Sequence, residues 1–327
     1  MKICYFSCSS IYGGVEKVVI DTLNGLCKNN QCLLIVPFGC EYKDKLSSEV
    51  RTVEYKSFDK RYNPFLYLEI SKLIEGYDII HTHGAKATQI THRLNKLIKF
   101  NHIATKHNTR KGKIFNKLTN VISVSLEVSK TITHSSKVIY FGTKIKDLET
   151  QKSKHFTITA VGRLDPIKGY DKLIKEVSKL DFDFKLNIIG EGKQRLELEK
   201  LIEEKSLNNK VSLLGFQDNI EQQLLNSDLQ VISSHTEGFP ITLIEGILYS
   251  PIIISTPVGG IIEVLDNKYL SLIDNFSDKI SEIYYNYNTN YNDFQIKHKK
   301  FKEKFNFDDY IISLTEYYKR CINERKS

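Results

Sequence analysis

No stretch of this 327-residue chain approaches the eighteen consecutive apolar residues of a membrane-spanning helix. The six cysteines form no CxxC pair and no zinc-ligand spacing is present. There is no Walker loop and no serine nucleophile elbow. Gly190-Glu191-Gly192-Lys193-Gln194-Arg195 has arginine where a dinucleotide fingerprint needs its third glycine, which argues against an NAD enzyme. The opening residues, Met1-Lys2-Ile3-Cys4-Tyr5-Phe6, lack the separate charged region, apolar stretch and cleavage site of a signal peptide and read as a first strand. Five of the six cysteines fall in the first forty residues, some in apparent buried strands where cysteine acts as a small hydrophobe. A reduced, cytoplasmic setting is expected.

Acidic residues are missing from one long segment. None occurs between Asp78 and Glu127, while Lys86, Arg93, Lys96, Lys99, Lys106, Arg110, Lys111, Lys113 and Lys117 all do. Up to residue 145 there are 22 Lys+Arg against 11 Asp+Glu, or +11; the remainder carries 25 against 28, or −3. A face of this sign attracts anionic lipid headgroups or a phosphate-bearing partner, at about 1 kcal/mol per basic residue near a membrane surface. The plainer alternative is a solvated basic surface. No nucleic-acid module or aromatic stacking pattern accompanies the charge, so nucleic acid is not expected as a partner.

What is present is an alternation of short apolar runs with amphipathic stretches, the pattern of parallel sheets with crossover helices. Strands are expected over Lys2–Phe6, Cys32–Val36, Asp78–Thr82, His102–Thr105, Val121–Val124 and Lys137–Ile139, then over Phe156–Val161, Lys185–Ile189, Val211–Leu213, Leu229–Ile232 and Ile252–Ser255. Helical patterns separate them, and Lys144–Lys154 is polar, without apolar rhythm, and suits a linker. The fold class is therefore α/β: residues 1–145 and 146–305 form two Rossmann-like domains, and 306–327 a C-terminal helix expected to pack back on the first. Ligands of such sheets bind beyond the carboxyl ends of the strands, so chemistry is expected in a cleft between the domains.

Two segments carry the chemistry. Gly162-Arg163-Leu164-Asp165-Pro166-Ile167-Lys168-Gly169 follows a strand and opens a helix. Arg163 offers a planar fork to phosphate oxygens and Lys168 a mobile point charge, the pair a departing diphosphate requires. Ser234-His235-Thr236-Glu237-Gly238-Phe239-Pro240-Ile241 also runs from a strand into a helix, with Glu245 eight residues after Glu237. Free N–H groups at such a helix start bind anions, and Gly238 lets that backbone approach a ligand closely. The two carboxylates suit hydroxyls of a sugar and of a ribose.

These motifs resemble glycosyltransferase family 4, the retaining, group 1 enzymes of the two-domain GT-B fold. The resemblance is densest from Thr157 to Leu265, through Ala160–Leu164 with Lys168-Gly169, Ile189–Gly192, Leu214–Phe216, Glu237 with Glu245, and Gly259-Gly260 with Glu263. It implies that Arg163 and Lys168 bind the diphosphate of a nucleotide-sugar donor. It further implies that Glu237 contacts the donor sugar, that Glu245 holds the ribose, and that the backbone from Gly238 through Phe239 and Pro240 to Ile241 touches sugar and phosphates. In the first domain it implies that Gly13 and Gly14 approach the diphosphate and reacting carbon, and that His107 lies near the donor sugar. His81 and His83 read as cleft-lining or packing residues. No metal and no other cofactor is implied, and Asp181-Phe182-Asp183, which mimics a metal-binding DxD, precedes a strand and reads as structural.

Two departures stand out. Tyr140-Phe141-Gly142 replaces the family's Pro-Asn-Gly, and Gly246 replaces a small residue inside a helix at roughly 1 kcal/mol. The expected reaction is hexosyl or N-acetylhexosaminyl transfer with retention, from a UDP-sugar in preference to a GDP-sugar, as UDP is the commoner donor among similar enzymes. The expected acceptor is a glycan, lipid-linked, at the inner face of the membrane. The Lys, Ile and Asn content suits an AT-rich bacterium, and hence surface-polysaccharide or lipopolysaccharide synthesis. Two other readings stay open: a nucleotide-sugar epimerase of the same fold, and a catalytically silent glycan-binding partner subunit.

Overall fold

A computed structural model describes every residue except Asp59, Lys152 and Ser327. Lys152, within the expected linker, and Ser327, at the end of the expected last helix, therefore lie outside the described residues. In chain order the elements are β1 (Lys2–Phe6), α1 (Gly14–Leu26), β2 (Gln31–Pro37), β3 (Val50–Tyr55), α2 (Pro64–Leu73), β4 (Ile79–His83), α3 (Ala85–Leu97), β5 (Asn101–Lys106), β6 (Asn120–Ser123), α4 (Leu126–Ser129) and β7 (Lys137–Val138). There follow β8 (Phe156–Val161), α5 (Tyr170–Val177), β9 (Phe184–Ile189), α6 (Arg195–Glu204), β10 (Val211–Gly215), α7 (Ile220–Asn226), β11 (Leu229–Ile232), α8 (Ile241–Tyr249), β12 (Ile253–Ser255), α9 (Phe276–Tyr285), α10 (Tyr287–Lys304) and α11 (Phe307–Lys326). Among the described residues no helix is long and apolar enough to cross a membrane.

The chain divides into two compact units, one running from Met1 to Gly142 and including the helix that starts at Phe307, the other from Thr143 to Asn306. Each holds one wholly parallel sheet, seven strands in the order β3-β2-β1-β4-β5-β6-β7 and five in the order β10-β9-β8-β11-β12. Central strands of such sheets are covered on both faces, which is why they read as unbroken apolar runs. Cys4, Phe6, Leu33, Ile35 and Ile80 pack with Leu66, Ile70, Ile90 and Leu94 on one face of the first sheet. In the second unit Ile158, Ala160, Leu186, Ile188 and Val231 are buried with Leu173 and Ile244.

One strand was not foreseen. β3, Val-Arg-Thr-Val-Glu-Tyr, is an edge strand whose burial is complete only at its two ends, so it shows no apolar run. The last helix, α11, is held within the first unit by side chains far apart in sequence. Gly25 of α1 leaves room for Ile311 and Phe307, whose carbons would stand 2.8–2.9 Å from a Cβ there. Tyr310 Oη lies 2.9 Å from Thr22 Oγ1, and Tyr318 Oη lies 2.7 Å from Tyr5 Oη and 2.5 Å from His81 Nδ1.

The strand order of each sheet reverses beside its first strand, between β1 and β4 in the first unit and between β8 and β11 in the second. Segments leaving the carboxyl ends of these neighbours diverge to opposite sides and leave a crevice. The segments singled out from the sequence leave β1, β8 and β11.

Candidate functional site

In the second unit, Asp165 Oδ1 accepts from Ile167 N at 3.1 Å and starts a single 3-10 turn, Pro166–Lys168. Gly169, at φ +66°, closes that turn and opens α5. The segment after β11 is laced to it: His235 N donates to Ile167 O at 2.8 Å, and Ser233 Oγ donates to Lys168 O at 2.7 Å. These bonds bring two side chains together. Lys168 Nζ donates to Glu237 Oε1 at 2.6 Å, and Ser234 Oγ donates to the same oxygen at 2.7 Å. The lysine and glutamate side chains are 20% and 12% exposed, so the pair is sheltered but reachable from solvent. Beneath it the buried Tyr170 hydroxyl is held well above its usual pKa, first by burial and then by the Glu237 charge. Arg163 is exposed and forms no ion pair with any described residue.

Pro240 is the N-cap of α8, and no side chain caps this helix. Leu243 N donates to Pro240 O at 3.0 Å, while the N–H groups of Ile241 and Thr242 are left to solvent or a ligand. The preceding backbone is fixed from two sides. Phe239 is buried against Phe305 at 5.6 Å, and Gly260 N donates to Gly238 O at 2.7 Å. Gly259, at φ +54°, lies so close that a Cβ there would stand 2.1 Å from Glu237 O. Glu245, in the second turn of α8, is only 2% exposed. Gly246 beside it has a packing explanation: a Cβ would stand 1.8 Å from Oε1 of Gln230, a buried β11 side chain whose Nε2 donates to Thr242 O at 2.8 Å. The glycine lets a strand side chain reach a helix carbonyl.

In the first unit Gly13 is the N-cap of α1 in an extended conformation, and Gly14 is the first helical residue. A Cβ at Gly13 would meet only the Glu16 carboxylate, at 3.1 Å, so internal packing asks little of glycine there. His83 ends β4 and His107 follows β5, its neighbour in the sheet, with His83 Nδ1 2.9 Å from His107 Nε2. Burial drives the His107 pKa down to about 3 and that of His83 well below its normal value, so both rings are neutral. Phe141, from the departing Tyr-Phe-Gly segment, stacks on His107 at 5.6 Å with 19° between the planes. His81 is enclosed by Tyr318 Oη and Thr105 Oγ1 and is a packing residue.

Other sequence features resolve differently. Lys106, counted with the basic face, is 1% exposed; its ammonium donates to Thr131 Oγ1, and burial lowers its pKa. The strand that carries it turns its stem inward. Asp181 accepts from Tyr285 Oη at 3.0 Å, Asp183 pairs with His155 at 2.5 Å, and Phe182 stacks on Tyr284 at 3.7 Å, so the DxD-like triplet is structural. Among the described residues no group of three or more His, Cys, Asp or Glu is placed to hold a metal ion. Gln230 escaped notice in the sequence, while Ser234 and Gly259 lie within the quoted motifs but were given no role of their own.

Residues 143–292 match the family described as glycosyl transferases group 1. The chain is 29% identical over 189 residues to an uncharacterized glycosyltransferase of Methanocaldococcus jannaschii, covering 55% of this chain and 52% of the relative. Over 111 residues it is 39% identical to the N-acetylgalactosamine-N,N'-diacetylbacillosaminyl-diphospho-undecaprenol 4-alpha-N-acetylgalactosaminyltransferase of Campylobacter jejuni, covering 34% of this chain and 30% of the relative. The matched region thus spans about half or less of these relatives' own length. The fold agrees along nearly the whole chain with Anabaena HepE in complex with UDP-glucose, at a TM-score of 0.86, 19% identity, and coverage of 97% and 98%. The second unit thus carries the match to the group 1 glycosyl transferases, and the two parallel-sheet units are those of the GT-B fold.

Proposed function

We propose that the chain is a retaining glycosyltransferase of family 4 type, a hexosyltransferase moving a hexosyl or N-acetylhexosaminyl group from a nucleotide sugar to a glycan acceptor. The observation that carries this reading is the Lys168–Glu237–Ser234 cluster at the switch point of the second sheet, with the unpaired Arg163 guanidinium on the same segment as Lys168. Without donor, Glu237 neutralises Lys168. An arriving diphosphate takes the ammonium and the Arg163 fork, which frees Glu237 to accept from sugar hydroxyls. As the glycosidic C–O bond breaks, charge grows on the diphosphate beside two cations and the open start of α8. Gly13, Gly14 and His107 are assigned to the reacting end of the same donor, and Glu245 to the ribose. The reading uses no metal and no carboxylate nucleophile; positioning and charge stabilisation supply the rate. UDP is favoured over GDP, and the UDP-glucose held by HepE supports that choice.

Thermal shifts with UDP, GDP and their sugars test the donor site. A ligand that binds the folded state raises its melting temperature as the logarithm of concentration over affinity. A shift with UDP that disappears in Arg163→Ala is expected. No shift with any nucleotide in the wild type would remove the donor site and bring the glycan-binding reading forward; turnover of the nucleotide sugar with no acceptor present would favour the epimerase.

The acceptor we propose is lipid-linked, presented at an anionic membrane surface in bacterial surface-polysaccharide or lipopolysaccharide synthesis. The undecaprenol-linked substrate in the Campylobacter relative's name supports the class. In the first unit Phe58, Tyr62 and Phe65 are 82%, 81% and 73% exposed. With Lys56 and Lys60 they line a groove of about 460 Å³, and Arg93 lies over the Tyr62 ring at 4.6 Å. Aromatic tips among cations suit the headgroup region of a bilayer. Sedimentation with anionic vesicles should exceed that with neutral ones by at least tenfold in bound fraction at low salt, and Phe58→Ala with Phe65→Ala should abolish most of the difference. Equal binding to both lipids would end the membrane proposal.

A further inference from the structure

The histidine pair at the carboxyl edge of the first sheet is specified more tightly than the sequence motif requires. His83 is 6% exposed and wedged by aromatic neighbours, its ring centroid 4.6 Å from His81, 5.0 Å from Tyr5 and 5.1 Å from His107. Its Nδ1 lies 2.9 Å from His107 Nε2, while its Nε2 is buried with no hydrogen-bond partner among the described residues. Both rings are neutral, so each has one N–H and one lone pair to place.

Only two arrangements make the bond between them. In one, His83 accepts at Nδ1, and its single proton then sits on Nε2, a buried N–H without an acceptor. In the other, His83 donates from Nδ1 and leaves a bare lone pair at Nε2. Stranding a buried donor forfeits a hydrogen bond it would have made to water, and orphaned buried N–H groups are rarer than under-used acceptors. The second arrangement is therefore the stable one. It fixes His107 in turn: Nε2 is occupied as acceptor, so its proton is on Nδ1, which bonds to no other described residue.

We infer that His83 is a positioning residue that locks His107 as an Nδ1–H donor, so that His107 offers a hydrogen bond to a ligand oxygen and takes no proton through Nε2. Phe141, stacked on the ring, holds its plane. The oxygen class that fits a neutral N–H donor is a sugar hydroxyl, and this part of the inference rests on the transferase reading above. It also gives the HxH spacing of β4 a division of labour. His81 is consumed by Tyr318 and Thr105, and His83, on the same face two residues on, is turned towards His107.

Two-bond proton–nitrogen spectra of the ¹⁵N-labelled full chain test this directly, with His107 assigned by comparison with His107→Gln. The expected pattern for His107 is a protonated Nδ1 and a bare Nε2; the opposite tautomer in the wild type overturns the inference whatever the variants do. His83→Asn places an amide N–H about where Nδ1 stood and should keep the His107 pattern and restore transfer. His83→Leu removes the donor that holds His107 Nε2 as an acceptor, should let the His107 proton exchange between both ring nitrogens, and should lower kcat/KM several-fold. An unchanged tautomer in His83→Leu, or a changed tautomer with undiminished transfer, would sink the positioning role. If the tautomer is as stated but His107→Gln transfers at the wild-type rate, the lock stands and the assignment of His107 to the donor sugar falls.

Discussion

Lys168→Ala is expected to lower kcat/KM for transfer by about two to three orders of magnitude, a loss typical of removing one charge-stabilising group from an active site. The size follows from what the ammonium does. It donates at 2.6 Å to Glu237 Oε1, and in the proposed complex it moves to the diphosphate. Without it Glu237, 12% exposed, keeps only the Ser234 hydroxyl, and its uncompensated charge repels the incoming diphosphate. Donor affinity should therefore fall by more than the loss of one phosphate contact. Glu237→Gln separates the two effects. It leaves Lys168 free for phosphate, so UDP affinity should hold or rise while sugar transfer drops. The double variant should bind UDP better than Lys168→Ala alone, because the repulsive carboxylate has gone. Fold stability should change little in Glu237→Gln and in the double variant and fall further in Lys168→Ala, which strands a sheltered carboxylate. Calorimetric UDP affinity checks the series, and wild-type affinity in Lys168→Ala would show that this lysine is not a diphosphate ligand.

The legible parts of this chain were those encoded over short distances. Leu229–Ile232 and Phe156–Val161 read as strands because both faces of a central parallel strand are buried, and the observed limits of β8 and β11 coincide with that reading. β3 was lost because Arg51 and Glu54 interrupt an edge strand that is only half covered. Arg163, Lys168 and Glu237 could be singled out as candidates because each follows a strand in a segment with its own turn chemistry. Their mutual geometry could not be found. Lys168 and Glu237 are 69 residues apart, and the cross-bonds from Ser233 and His235 that bring their segments together leave no local pattern. The same holds for Tyr318, which reaches His81 across 237 residues, and for Phe141, which occupies the ring face of His107 at the point where the family motif was broken. Gly246 shows the converse. It read as a mild helix penalty, and became intelligible only when Gln230 was seen to occupy the space of its missing Cβ.

Gly259 makes the same kind of demand at the site itself, and Gly259→Ala should uncouple donor binding from folding. The residue sits at φ +54°, where a side chain costs about 1–2 kcal/mol on its own. That strain alone would leave the site intact. The added Cβ, however, would stand 2.1 Å from Glu237 O and 3.0 Å from Gly238 O, and backbone atoms cannot yield as a flexible side-chain tip can. One of the two turns must move. The turn bearing Gly259 is anchored by the Gly260 N to Gly238 O bond, so displacing either turn shifts the Glu237–Gly238 backbone with it. The Lys168–Glu237 contact and the approach to α8 are then both misaligned. We expect Gly259→Ala to weaken UDP binding at least 10-fold and to lower the melting temperature by several degrees while the protein still folds. Gly76→Ala supplies the control: its φ is +77°, but nothing lies within 4 Å of the new Cβ and it stands in the first unit. It should carry the backbone penalty with UDP affinity unchanged. If the two variants bind UDP equally well, the close approach of Gly259 to Glu237 serves the fold alone, and the shape of the donor site must be set elsewhere on the segment after β11.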